Sequence, residues 1–290
     1  MAYLTDIKDN VRNIHEKLLT YDLGMFGLTP KLLVLHVGYQ DDPSERYIRS
    51  KMAAGKRCGI DVVVKRIDPQ LATTDYLIAE IEYAVHSEQR YDGIILQLPV
   101  PETVDLKKVY QVLPVDMDVD GVTPEALGRL AKGYPKFIPC TPKGILTILR
   151  DHKIKIAGKR VAVIGRSEIV GKPMAMVFTN ENATVTLCHS KTEHLASITK
   201  QADIIVCAVG RMGFLTANMV KDGAFVVDVG INLTKDGKLR GDVAEAVAEK
   251  ATVTPVPGGV GLTTVLSLMQ NTALACFRTY RPEYLKERYL

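Results

Sequence analysis

Gly158-Lys-Arg-Val-Ala-Val-Ile-Gly-Arg-Ser-Glu-Ile-Val-Gly-Lys-Pro173 is the stretch that decides the fold. An apolar, β-branched run (Val161, Val163, Ile164) stops at Gly165, and a second glycine follows at Gly171. A buried parallel strand that ends in glycine and turns into a helix presents backbone amides to a ligand phosphate. The two glycines stand further apart than in the usual dinucleotide fingerprint, and Arg166 and Ser167 fill the turn. A guanidinium at the mouth of such a turn suits a cofactor with an extra phosphate, NADP over NAD.

The next strand, 184–187, ends in Cys188-His189-Ser190. An NAD site usually carries an Asp or Glu there for the ribose hydroxyls, and this chain has none. Ser190 is therefore expected to join Arg166 at the 2′-phosphate, while His189 has the character of an ordinary solvated loop histidine. Further strands are expected at 203–209, 224–229 and 251–254, which makes 140–262 a Rossmann-like NADP-binding domain. Upstream, strands at 32–37, 61–64 and 91–98 alternate with helices at 44–57 and 75–87. Such alternation implies a parallel sheet with right-handed crossovers. The fold class is α/β in two domains: an N-terminal three-layer catalytic domain over 1–139 and the Rossmann-like domain, with a cleft between them. The apolar periodicity of 263–278 suggests that the C-terminal segment 263–290 packs back onto the first domain.

Bulk composition narrows the class. The chain has 290 residues with 47% hydrophobic content and a mean hydropathy of +0.05, which permits two ordinary cores. A net charge of +4 without a basic block argues against a nucleic-acid partner. Five scattered cysteines without a C-x-x-C pattern indicate reduced core thiols and a cytoplasmic setting. No membrane-length apolar stretch and no leader-like N-terminus is expected.

Several other positions invite chemistry. Tyr47 and Lys51 are four residues apart, so a helix places phenol and ammonium on one face. That spacing also describes a plain surface pair. It is shared with short-chain dehydrogenases, but there the pair lies downstream of the nucleotide turn within one domain. Gln97 falls at the C-terminal end of an apolar strand, where ligands of open α/β sheets bind, and its amide needs a partner from ligand, side chain or backbone. Asp116, Asp118 and Asp120 crowd one loop, but the full calcium-loop pattern is missing and no metal site is expected. Pro255-Val-Pro257-Gly258-Gly259-Val-Gly261 follows a strand and precedes a helix, a concentration of prolines and glycines that suits a ligand-facing loop.

Taken together, Ser44-x-x-Tyr-x-x-x-Lys51, Ile94-Ile-Leu-Gln-Leu-Pro99, Asp118-Val-Asp-Gly121, Pro139-Cys-Thr-Pro-x-Gly144, Gly165-Arg-Ser-x-Ile-Val-Gly-x-Pro173 and Pro255-Val-Pro-Gly-Gly-Val-Gly261 resemble one family. It is the bifunctional methylenetetrahydrofolate dehydrogenase/methenyltetrahydrofolate cyclohydrolase. The match runs in order over nearly the whole chain, at a length that suits the two-activity form. The resemblance implies oxidation of methylenetetrahydrofolate with NADP, then hydrolysis of the methenyl product to formyltetrahydrofolate. It implies Lys51 as central acid/base, oriented by Tyr47 and hydrogen-bonded to Gln97, with Asp120 on the amino-pyrimidine edge of the pterin. Tyr47, Ser44, Gln97, Pro257, Gly258 and Gly259 are the implied folate contacts. Gly165, Arg166, Ser167, Ser190 and Ile231 are the implied NADP contacts. A homodimer in one-carbon metabolism, serving purine, methionine and histidine biosynthesis, is also implied.

An unprotonated lysine suits a cationic methenyl group, which requires a depressed pKa from burial or from positive neighbours such as Arg46 and Arg49. There are departures from the family pattern. Leu262-Thr263 replaces a common Pro-Met, Pro43 precedes Ser44, Met117 stands where lysine is frequent, and Glu168 adds a negative charge beside the phosphate turn. Two other readings remain open on residues alone: a dehydrogenase of a small amino or hydroxy acid, and a non-catalytic NADP-binding regulator.

Overall fold

A computed structural model describes residues 3–39 and 44–284; Pro43 and residues 285–290 of the expected C-terminal segment lie outside that range. In chain order the elements are α1 (Asn13–Met25), β1 (Lys31–Val37), α2 (Glu45–Cys58), β2 (Asp61–Ile67), α3 (Thr74–Val85), β3 (Gly93–Gln97), α4 (Leu106–Val112), α5 (Pro124–Ala131) and α6 (Cys140–Asp151). There follow β4 (Arg160–Ile164), α7 (Gly171–Asn180), β5 (Thr184–Cys188), α8 (Leu195–Thr199), β6 (Ile204–Cys207), β7 (Phe225–Asp228), β8 (Asn232–Leu233), β9 (Leu239–Arg240), β10 (Thr252–Val253) and α9 (Val260–Tyr280). They divide into two compact units.

One unit is built on the parallel sheet β2-β1-β3. Side chains alternate across a strand, and β1 is apolar on both faces, so it needs two covering layers. Leu32 and Val34 pack with Leu19 and Leu23 of α1, Ala54 and Cys58 of α2, and Leu268, Met269 and Phe277 of α9. Leu33, Leu35 and Val37 pack on the other face with Leu77 and Ile81 of α3 and Val109 of α4. The result is three layers, with α9 from Val265 onward grouped in this unit. α2 ends at Gly59 in the left-handed region (φ 74°), as a C-cap glycine should.

The other unit carries the five-stranded parallel sheet β10-β7-β6-β4-β5. Ala162 and Ile164, Ile205 and Cys207, Val226 and Val253 form one apolar face. α7 packs against β4 and β5. Residues 3–14 group with this unit rather than with the first sheet. The reason is backbone pairing: Leu4 N donates to Val253 O at 3.0 Å beside a Tyr3–Val253 bridge. His152 Nε2 also meets Asp6 Oδ1 at 3.0 Å. No local pattern announces that partnership, because the partner lies some 250 residues downstream.

Two expectations change. α9 starts at Val260 rather than 263, because Leu262 N donates to Gly259 O at 3.0 Å, a bond that the family's proline would lack. Its 21 residues are also long and apolar enough to cross a membrane by composition, against the expectation that no stretch approaches that length. The apolarity serves the core, since 67% of the qualifying window is buried.

Candidate active site

In the first unit the chemistry gathers at the C-terminal end of β3. α2 runs from Glu45, so Tyr47 and Lys51 lie one turn apart on one side of it. Lys51 Nζ donates to Gln97 Oε1, and Gln97 Nε2 donates to the Leu98 carbonyl at 2.6 Å. The strand-end amide thus has both ends engaged, which fixes its orientation and aims its oxygen at the lysine. Burial pushes the Lys51 pKa down, opposed by the nearby Asp120 and Cys140. Arg46 and Arg49 do not supply the shift. Both are exposed, and Arg49 leans on the buried Glu45 at 3.8 Å. Tyr47 is 45% exposed, one helical turn before the lysine. Ser44 does not present a free hydroxyl: its Oγ meets Nε2 of the fully buried His36 at 2.8 Å.

Asp120 is half-buried, and its placement depends on Asp118, two residues earlier. The Asp118 carboxylate, fully buried, accepts from the amides of Gly121 (2.9 Å), Val122 (3.1 Å) and Thr123 (2.8 Å). Asn271 of α9 then donates to Val119 O at 2.8 Å and Ile138 O at 3.0 Å. Of the three loop carboxylates, one is therefore scaffolding and another faces the lysine. Among the described residues no group of three or more His, Cys, Asp or Glu is poised to hold a metal.

In the second unit the turn after β4 explains its spaced glycines. A Cβ on Gly165 (φ 120°) would overlap the Ala208 carbonyl, and one on Gly171 would overlap the Gly165 carbonyl. Both positions need glycine so that the backbone can fold tightly on itself. Ser167 Oγ accepts from Val170 N (3.2 Å) and Gly171 N (3.4 Å), which leaves its O–H as the group to offer a ligand. The first amides of α7 are thus partly satisfied internally rather than all facing outward.

Ile164 pairs with Cys188 in register, so Arg166 and Ser190 each leave adjacent strand ends by two residues, and both are exposed. A guanidinium, two hydroxyls and a cradle that any Cβ would fill form a donor set that fits a phosphorylated dinucleotide. Glu168 pairs with Lys172 at 3.2 Å, so its charge is not left bare beside the turn. Ile231 is 47% exposed, just beyond β7. In the loop before α9, Pro257 and Gly258 are exposed and Gly259 is buried; Val256-Pro257 is cis, and Gly258 takes φ 103°.

The scaffolding role of Asp118, and any role for Asn271, His36 and the buried pair Asp228 and Asp242, are not announced by the sequence. Asp118 gave a signal within its acidic loop. Asn271, Asp228 and Asp242 act through partners elsewhere along the chain and gave none, and His36 sits inside an apolar strand with nothing in its spacing to mark it.

An open parallel sheet with a glycine-cradled turn in one unit, and in the other a half-buried lysine held against a strand-end amide, define the class of nucleotide-dependent enzymes with a separate catalytic domain. The chain belongs to the tetrahydrofolate dehydrogenase/cyclohydrolase family: residues 2–120 match its catalytic domain and 139–280 its NAD(P)-binding domain. It is 48% identical over 260 residues to the bifunctional protein FolD of Methanospirillum hungatei, covering 89% of this chain and 91% of that one. Among solved structures it resembles the bifunctional FolD methylenetetrahydrofolate dehydrogenase/cyclohydrolase of Campylobacter jejuni, with TM-score 0.87, 37% identity and coverage of 93% and 98%. It also resembles the Trypanosoma brucei methylenetetrahydrofolate dehydrogenase-cyclohydrolase complexed with NADP cofactor and inhibitor, with TM-score 0.88, 31% identity and coverage of 97% and 99%.

Proposed function

We propose that this chain oxidises methylenetetrahydrofolate to methenyltetrahydrofolate with NADP and hydrolyses that product to formyltetrahydrofolate. The observation that carries the reading is the contact of Lys51 with Gln97, in a setting whose burial favours the free amine. NADP supplies the hydride acceptor when bound. Arg166 and Ser190 hold its 2′-phosphate, Gly165 and Ser167 line the turn against its phosphates, and Ile231 lines the rim.

Asp120 accepts hydrogen bonds from the amino-pyrimidine edge of the pterin and Tyr47 contacts the folate, while Ser44 and the Pro257-Gly258-Gly259 loop are folate contacts that the family resemblance alone implies. Gln97 accepts a hydrogen from Lys51 in either protonation state, so it orients the amine without demanding a charge. A free amine does not repel the methenyl cation and can take a proton from the attacking water. Lys51 returns that proton to the ring nitrogen as its bond to the one-carbon unit breaks, and the hydroxyl proton of the adduct goes to solvent.

A cytoplasmic homodimer of one-carbon metabolism, serving purine, methionine and histidine biosynthesis, accompanies this reading. It draws on the family resemblance and on five buried cysteines. Neither nucleic acid nor membrane is a partner in it. One absorbance assay with methylenetetrahydrofolate and NADP, repeated with NAD, tests the function: turnover with NADP is expected. Nucleotide binding without turnover would favour a regulator, and turnover only on an amino or hydroxy acid would favour the other dehydrogenase.

A further inference from the structure

Behind the strand ends of the second unit lies a pair of buried carboxylates that the reaction does not use. Asp242 is fully buried. Its Oδ2 accepts from Val209 N (2.7 Å) and Gly210 N (2.8 Å), and its Oδ1 from Arg211 N (2.8 Å) and Asn232 Nδ2 (2.9 Å). Successive amides converging on one point form an anion nest, here filled by the protein's own carboxylate. Asp228, at the end of β7, holds Asp242 in turn: its Oδ1 accepts from Asp242 N at 2.8 Å and its Oδ2 from Val243 N at 3.0 Å. The space is tight, since a Cβ on Gly230 would overlap the Asp242 carboxylate and one on Gly241 would overlap that of Asp228.

The loops so gripped follow β6 and β7, which are paired neighbours with Cys207 opposite Asp228. In the strand order β10-β7-β6-β4-β5, Arg166 and Ser190 leave β4 and β5. A dinucleotide anchored there by its 2′-phosphate and laid across the C-terminal strand ends puts its other half over β6 and β7. We propose that Asp242 is a positioning residue for the nicotinamide half of the cofactor site, locking the 209–211 loop to Asn232 so that Ile231 and the course of the loop backbone are preset before binding. A preset rim saves the ordering cost that a loose loop would impose on binding. The proposal rests on the NADP reading of this unit.

The test titrates purified Asp242→Asn and Asn232→Ala with NADP and with adenosine 2′,5′-bisphosphate, which carries only the half held by Arg166 and Ser190. An asparagine turns an amide NH2, itself a donor, toward a cage of donors, so NADP affinity is expected to fall about tenfold or more. Bisphosphate affinity and the methenyl hydrolysis rate should stay within about twofold of the parent. NADP affinity unchanged in Asp242→Asn overturns the proposal, as does an equal loss for both ligands in a variant that still unfolds cooperatively. If Asp242→Asn does not fold, Asn232→Ala decides: an about threefold loss confined to NADP supports the role, and no loss overturns it. Failure of the parent protein to bind either ligand would instead remove the cofactor reading, and the proposal with it.

Discussion

Lys51 of α2 donates to Oε1 of Gln97, which sits at the last position of β3. A helix and a strand end thus converge on one ammonium nitrogen, and burial there favours its loss of a proton. Lys51→Ala should abolish methenyltetrahydrofolate hydrolysis and greatly reduce hydride transfer, while NADP affinity stays intact. Loss of methenyl absorbance with time measures the first and a nucleotide titration the second. Full hydrolysis by the variant would remove Lys51 from the mechanism.

The pH profile follows from the same contact. The folded-state pKa of Lys51 lies below its ordinary 10.5, so the free amine fraction grows as pH rises toward that folded value. Hydrolysis should therefore increase with pH and level off before 10.5. Gln97→Glu places a carboxylate against the ammonium and raises the Lys51 pKa, so the rising limb should move to higher pH. A limb that stays in place would show that another group titrates.

Arg166→Ala tests the 2′-phosphate role. Loss of a charge-assisted contact should weaken NADP about tenfold or more and leave NAD within about twofold. Equal loss for both nucleotides in a binding titration would assign Arg166 to the shared part of the cofactor.

Asp118→Ala concerns scaffolding rather than chemistry. Three buried amides, those of Gly121, Val122 and Thr123, would lose their acceptor. A destabilisation of about 2–3 kcal/mol is expected, read as an earlier denaturant midpoint. Folate affinity should fall with it, because the position of Asp120 follows the loop. An unchanged midpoint would mean that the loop is held from elsewhere, Asn271 being the first place to look.

Leu262→Pro restores the residue common in the family. It removes the bond from Leu262 N to Gly259 O but also narrows the unfolded ensemble. These effects oppose each other at similar size, so stability should change by less than about 1 kcal/mol. A loss well above that, in the same denaturation experiment, would show that α9 depends on its first-turn bond.

The sheets, the glycine turn after β4 and the placing of Tyr47 and Lys51 on one side of a helix were legible in the sequence because each is written in local spacing. Apolar runs of strand length, glycines where a backbone must approach backbone, and a four-residue interval on a helix need no distant partner to be read. Tertiary structure alone decided which group controls which. Asn271, Asp228 and Asp242 act on amides and carbonyls brought to them by chain closure, and residues 3–14 joined the second sheet through Val253. The sequence marked Lys51 as an acid/base candidate. The direction in which its pKa departs from the ordinary value was set by burial, a property of the folded surroundings that no interval between residues encodes.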